Sequence, residues 1–153
     1  MPWDGTSLWV ADLDGEGRPG KPERVAGGED ESIFQPEWTP GGDLIFVSDR
    51  TGWWNLYRLR GGAVEHLVAM HAEFGRPQWV FGMSMYAVVS DSELVCAYIR
   101  DGRCHMARLD LDALTLRDIP VTQTEFSGLR SGEGFVIYGG GSPTESSCLY
   151  RLD

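Results

Sequence analysis

The chain has 153 residues, 42% of them hydrophobic and 24% charged, with a formal net charge of −10. That length suits a single domain, and the acidic balance argues against nucleic acid or an anionic membrane surface as partner, since both are held by clustered Lys and Arg. No charged-then-apolar leader and no apolar run approaching about 18 residues is visible, so neither a signal peptide nor a membrane span is expected.

Residues 1–7 read as a turn, 7–13 as a strand and 22–26 as a second, shorter strand. Between them, Asp12, Asp14, Glu16 and Gly17, followed by Glu23, approximate the carboxylate spacing of a calcium loop. Pro19, Glu16 in place of Asp or Asn, and strands rather than helices on both sides favour a solvated hairpin loop, and no metal is assigned. From Ser32 to Leu59 the pattern is clearest. An apolar-aromatic run over 33–38 meets Pro40-Gly41-Gly42-Asp43, a tight-turn sequence. A β-rich run over 44–49 meets a second turn at Asp49–Gly52, and strands follow over 54–60 and 63–68.

The remaining strands are predicted over 76–81 or slightly later, 94–100, 104–110, 115–119, 126–130, 134–139 and 147–152. The phrases recur in order. LWVADL, NLYRLR, HMARLD and CLYRLD place Leu13, Leu59, Leu109 and Leu152 in equivalent positions. LIFVSD, LVCAYI and FVIYGG form a second series, and QPEW with RPQW a third through Trp38 and Trp79. A period of roughly 40–50 residues with four short strands per unit is the mark of propeller blades. The expected fold is therefore all-β, a partial β-propeller of about three and a half four-stranded antiparallel blades. The blade remnants are 1–30, 31–72, 73–122 and 123–153. Such an arc leaves two apolar sheet faces wet, each as large as or larger than the few hundred Å² a monomer tolerates. Two remedies are expected together: a homodimer, and a longer polypeptide that supplies the remaining blades.

Three stretches, QPEWTPGGDLIFVSDRTGWWNLYRL, MPWDGTSLWVADL and AEFGRPQWVFGMSMYA, resemble the N-terminal propeller of the prolyl oligopeptidase family of serine peptidases. The likeness is to its acylaminoacyl-peptidase and dipeptidyl-aminopeptidase-like bacterial members; it runs from Met1 to Arg60 and again from Glu73 to Trp79, and weakens after residue 115. It implies a two-domain enzyme in which an α/β-hydrolase domain carries Ser, Asp and His. This sequence has no G-x-S-x-G nucleophile elbow: neither Gly82-Met83-Ser84-Met85-Tyr86 nor Gly139-Gly140-Gly141-Ser142-Pro143 fits. The hydrolase domain is thus expected to be absent from this chain, and no catalytic residue transfers.

The other chemical candidates have plainer readings. His66, His71 and His105 lack ligand spacing, and Asp91, Glu93 and Asp101 read as turn carboxylates rather than the paired acids of a glycosidase. Gly139–Ser142 lacks the Lys of a phosphate loop and reads as a flexible hairpin. Cys96, Cys104 and Cys148 form no C-x-x-C pair and suggest reduced, mostly buried thiols in a cytoplasmic protein. Because successive strands alternate direction, Arg50, Trp53 and Trp54 should neighbour Glu31 and Phe34 on one face. Arg50, Trp53, Trp54 and Phe34 are candidates for an interface or substrate route; packing of the two Trp rings between blades is the alternative. Two functions compete. One is a non-catalytic propeller that gates peptide access to a hydrolase domain, with the peptide as substrate and no cofactor. The other is a self-standing propeller scaffold that binds proteins.

Overall fold

The computed structural model describes residues 1–153 and contains strands and turns without a helix. β1 (Ser7–Val10) pairs with β2 (Glu23–Gly27). β3 (Ile33–Trp38), β4 (Leu44–Ser48), β5 (Asn55–Arg60) and β6 (Ala63–His66) form a four-stranded antiparallel sheet in chain order. β7 (Tyr86–Val88), β8 (Glu93–Arg100), β9 (Arg103–Asp110) and β10 (Thr115–Asp118) repeat it, and β11 (Glu125–Gly132), β12 (Phe135–Ser142) and β13 (Glu145–Leu152) make a three-stranded sheet. The fold is all-β, an arc of a propeller. Its turns are those the sequence announces: at Thr39–Asp43, Gly42 takes φ = 92°, open to glycine at little cost, and its N–H donates to the Thr39 carbonyl.

Alternation of side chains lets one strand serve two cores. Every residue of β4 is buried. Phe46 packs with Ala26, Ile33 and Tyr57 toward the β1–β2 sheet, whereas Ile45 and Val47 point into a larger cluster shared with Phe74, Met85 and Leu94. β8 is likewise covered on both faces from Leu94 to Tyr98. Burying each such side chain contributes about 1.5–3 kcal/mol, so the two middle sheets carry most of the stability. The outer face of the last sheet has no cover: Leu149 on β13 is 81% exposed.

Two polar ties cross between sheets. The buried guanidinium of Arg58 pairs with Glu65 at 2.6 Å and donates to the Leu111 carbonyl at 2.9 Å, so this buried charge is both paired and bonded. Gln35 is the second. Its backbone sits in the left-handed region, φ = 48°, and β3 is irregular between Phe34 and Glu37. Its side chain turns across to β7, accepting from the Met85 and Tyr86 amides at 2.7 and 3.3 Å and donating to the Tyr86 carbonyl at 2.6 Å. The buried Tyr86 hydroxyl returns to the carbonyls of Gln35 and Ile45.

Three sequence expectations need correction. The first strand of the third blade, expected over 76–81 or slightly later, falls at Tyr86–Val88. Glu73 pairs with Ile99, the chain then leaves the sheet, and pairing resumes where the Ala97 amide donates to the Met85 carbonyl at 2.7 Å. The excursion begins where β3 has only its bulge; Pro77 brings no N–H to a ladder there. Gly139–Ser142 is not a hairpin loop but the end of β12, with the turn displaced to Pro143-Thr144. Glycine suits this crowded strand, since a Cβ at Gly140 would lie 3.0–3.2 Å from Gln123, Tyr138 and Tyr150 and would require them to shift. The thiols are not mostly buried either: Cys96 is buried, Cys104 half-buried and Cys148 exposed on β13, the strand left without a covering sheet.

Tyr86→Phe is expected to lower unfolding free energy by about 1–3 kcal/mol, because two buried carbonyls lose their shared donor. Urea denaturation measures it, and an unchanged midpoint would show that this tie is not needed.

Candidate functional site

The loops between the second and third strands of a blade, and those between successive blades, do share one face. Arg50 reaches Glu31 at 2.7 Å, and the Phe34 and Trp54 rings stack at 6.0 Å. The four sequence-selected residues do not form one cluster, however. Arg50 is occupied structurally: it pairs with Glu31 and lies 5.0 Å over the Tyr57 ring. Partial burial pushes the Glu31 carboxyl up, but hydrogen bonds from Ser48 and Arg50 and the Arg50 charge outweigh it and hold the group below its ordinary value. Phe34 and Trp54 pack between blades, with Trp54 so close to Gly75 that a Cβ there would fall 2.2 Å from the indole. Trp53 lies apart, stacked on His71 at 5.5 Å and partly exposed.

The larger opening on this face is one the sequence reading did not single out. A cleft of about 760 Å³ runs between the bulge of β3 and the excursion that precedes β7, with Phe34, Pro36, Met83, Trp79 and Phe81 along its walls. Glu37 and Arg130 stand on its inner side, and both also border a second space of about 500 Å³ between Trp38, Val88 and Leu129. They therefore line both openings, Glu37 from β3 and Arg130 from β11. Arg130 is held there by donating to the Gly82 carbonyl at 2.6 Å and the Leu129 carbonyl at 2.7 Å, and it also bonds the Ser84 hydroxyl. Gln35 donates to Glu37 at 2.9 Å. Burial pushes the Glu37 carboxyl above its ordinary value despite this bond, the Arg130 charge and the Val88 amide, all of which favour the anion. A partly desolvated carboxylate inside such a cleft is a functional-site signal. Its sequence trace, Glu37 beside a Gln-Pro bulge, is too short to distinguish from ordinary strand.

Several other polar residues are engaged in holding turns and sheets. Asp14 caps the β1–β2 loop by accepting from the Glu16 and Arg18 amides at 2.8 and 2.9 Å. His66 bonds Asn55 at 3.1 Å and His105 stacks on Tyr98 at 4.9 Å. Asp91 accepts from the Gly41 amide and Glu93 pairs with Arg108 at 2.6 Å. Ser84 donates to the Leu129 carbonyl at 2.8 Å.

Glu37→Gln provides a pH test. A carboxyl raised by folding stabilises the protein when protonated, and that contribution is lost as pH rises through the folded value, above the ordinary 4.5. The glutamine variant, neutral throughout, is expected to melt higher than the parent at pH 7–8 and to converge with it near pH 4. A gap that widens toward low pH would contradict this assignment.

No family model matches the chain, and no curated protein matches it. Among solved structures, puromycin hydrolase is similar over 100% of this chain, with 33% identity and a TM-score of 0.92. A puromycin-hydrolyzing peptidase of Mycobacterium tuberculosis is similar over the same extent, with 33% identity and a TM-score of 0.90. The chain spans 23% of the length of each. TolB from Acinetobacter baumannii, at 20% identity and a TM-score of 0.70, shares the propeller fold. In fold and over its whole length, this chain is a propeller segment of the prolyl oligopeptidase-family type.

Proposed function

We propose that this chain is the non-catalytic propeller part of a prolyl-oligopeptidase-like serine peptidase, and that it gates peptide access to a hydrolase domain outside residues 1–153. The observation that carries the reading is similarity to puromycin-hydrolysing enzymes over the whole of residues 1–153, supported by two adjoining clefts that share Glu37 and Arg130. Selection is steric. On this reading an extended peptide or small aminoacyl amide enters along the clefts beside Glu37 and Arg130, whereas a folded protein is excluded, because entry would require unfolding at a cost of several kcal/mol. The hydrolase domain and the further blades are the partners this reading requires, and puromycin is the first substrate to try.

The full-length protein is expected to hydrolyse puromycin and short peptide amides, with activity abolished by a serine-reactive fluorophosphonate. Residues 1–153 alone are expected to turn over neither. A susceptible peptide should survive when embedded in a stably folded host protein. Turnover by residues 1–153, or cleavage of the folded host as fast as the free peptide, would overturn the proposal.

A further inference from the structure

The excursion between Glu73 and Met85 is larger than the blade requires. At the equivalent place β3 turns its strand with a bulge at Gln35-Pro36, and the sheet remains intact. The excursion instead carries Trp79, Val80 and Phe81 into solvent; Trp79 is 73% exposed, Val80 67%, and Phe81 fully. Three adjacent large apolar side chains left wet at one loop tip are unusual for a soluble protein. The tip is not loose at its base. Gln78 donates to the Ile33 carbonyl at 2.8 Å, Arg130 reaches the Gly82 carbonyl at 2.6 Å, and the Trp79 ring rests 4.6 Å from Trp3. Neighbouring sheets on both sides thus hold the apolar tip in place over the cleft.

The cleft's charges are already spent on the chain itself. Arg130 donates to the Gly82 and Leu129 carbonyls and Glu37 accepts from Gln35, and the two carry opposite charges. What remains accessible is apolar: Trp79 and Phe81 on one side, Pro36 and the half-buried Met83 on the other. A charged side chain entering there would lose hydration without gaining a partner, whereas a bulky apolar one would gain from burial. The volume, about 760 Å³, is that of a small-ligand or short-peptide site rather than the seat of another domain.

From this we infer that the 75–84 excursion and the β3 bulge form a specificity clamp, which selects peptides bearing a bulky apolar, preferably aromatic, side chain. The inference rests on the gating function proposed above and adds the class of substrate.

The test uses the full-length protein and tetrapeptide coumarylamides in which one Phe replaces Ala at successive positions. At one position the Phe peptide is expected to exceed the all-Ala peptide in kcat/KM by on the order of tenfold. In the W79S/F81S variant that ratio should fall toward one, and the conservative W79F/F81L variant should restore it. A parent without preference at any position would overturn the clamp. So would a ratio that W79S/F81S leaves unchanged while the rate falls for every peptide, because the tip would then be packing against another domain. Failure of the parent to hydrolyse any peptide would instead remove the gating function on which the clamp stands.

Discussion

The structure depends on how neighbouring blades are joined at their innermost strands. Two such strands approach each other without forming a backbone ladder, so each has polar groups that water or side chains must satisfy. Gln35 does this for β3 and β7. Its amide oxygen accepts from the Met85 and Tyr86 amides at the start of β7 and its nitrogen donates to the Tyr86 carbonyl and to Glu37. The left-handed backbone at Gln35, followed by Pro36, aims the side chain across the gap. A non-glycine residue held there costs energy, of order 1–3 kcal/mol, which the hydrogen bonds and the packing of Tyr86 offset.

From that joint the site follows. The bulge that frees Gln35 also opens β3 beside Phe34 and Pro36, creating one wall of the cleft. The corresponding place in the next blade is where the chain departs at Gly75, pressed against Trp54, to build the opposite wall. Glu37, two residues beyond Gln35, is thereby drawn into a partly dry position beside Arg130. Blade packing and cleft are therefore made by the same few residues, and a change that loosens one is felt by the other.

Much of the architecture was legible in the sequence because it rests on local signals. Turn residues such as Gly41-Gly42, short β-rich runs and the recurring Leu-Tyr-Arg-Leu phrases set the strands and the circular order of sheets. The failures fall where tertiary contact overrides local pattern. Trp79–Phe81 reads as strand by residue type, yet Pro77 and the closeness of Gly75 to Trp54 take the chain out of the ladder. Gly139–Gly141 reads as loop, yet the crowding of Tyr138 and Tyr150 makes glycine the fit for a strand. Site prediction met the same limit. Trp54 and Phe34 were conspicuous as aromatics but are used in packing, while Glu37 and Arg130 lie far apart in the chain and meet only once three blades are stacked.

Amide hydrogen exchange in the full-length protein, with and without a saturating short peptide ending in an uncleavable bond, tests the account most directly. Peptide binding is expected to slow exchange around Gln35–Trp38 and across residues 78–85 together, since one cleft joins them. Slowing confined to other segments, with both of these unaffected, would contradict the assignment of this cleft as the route to the active site.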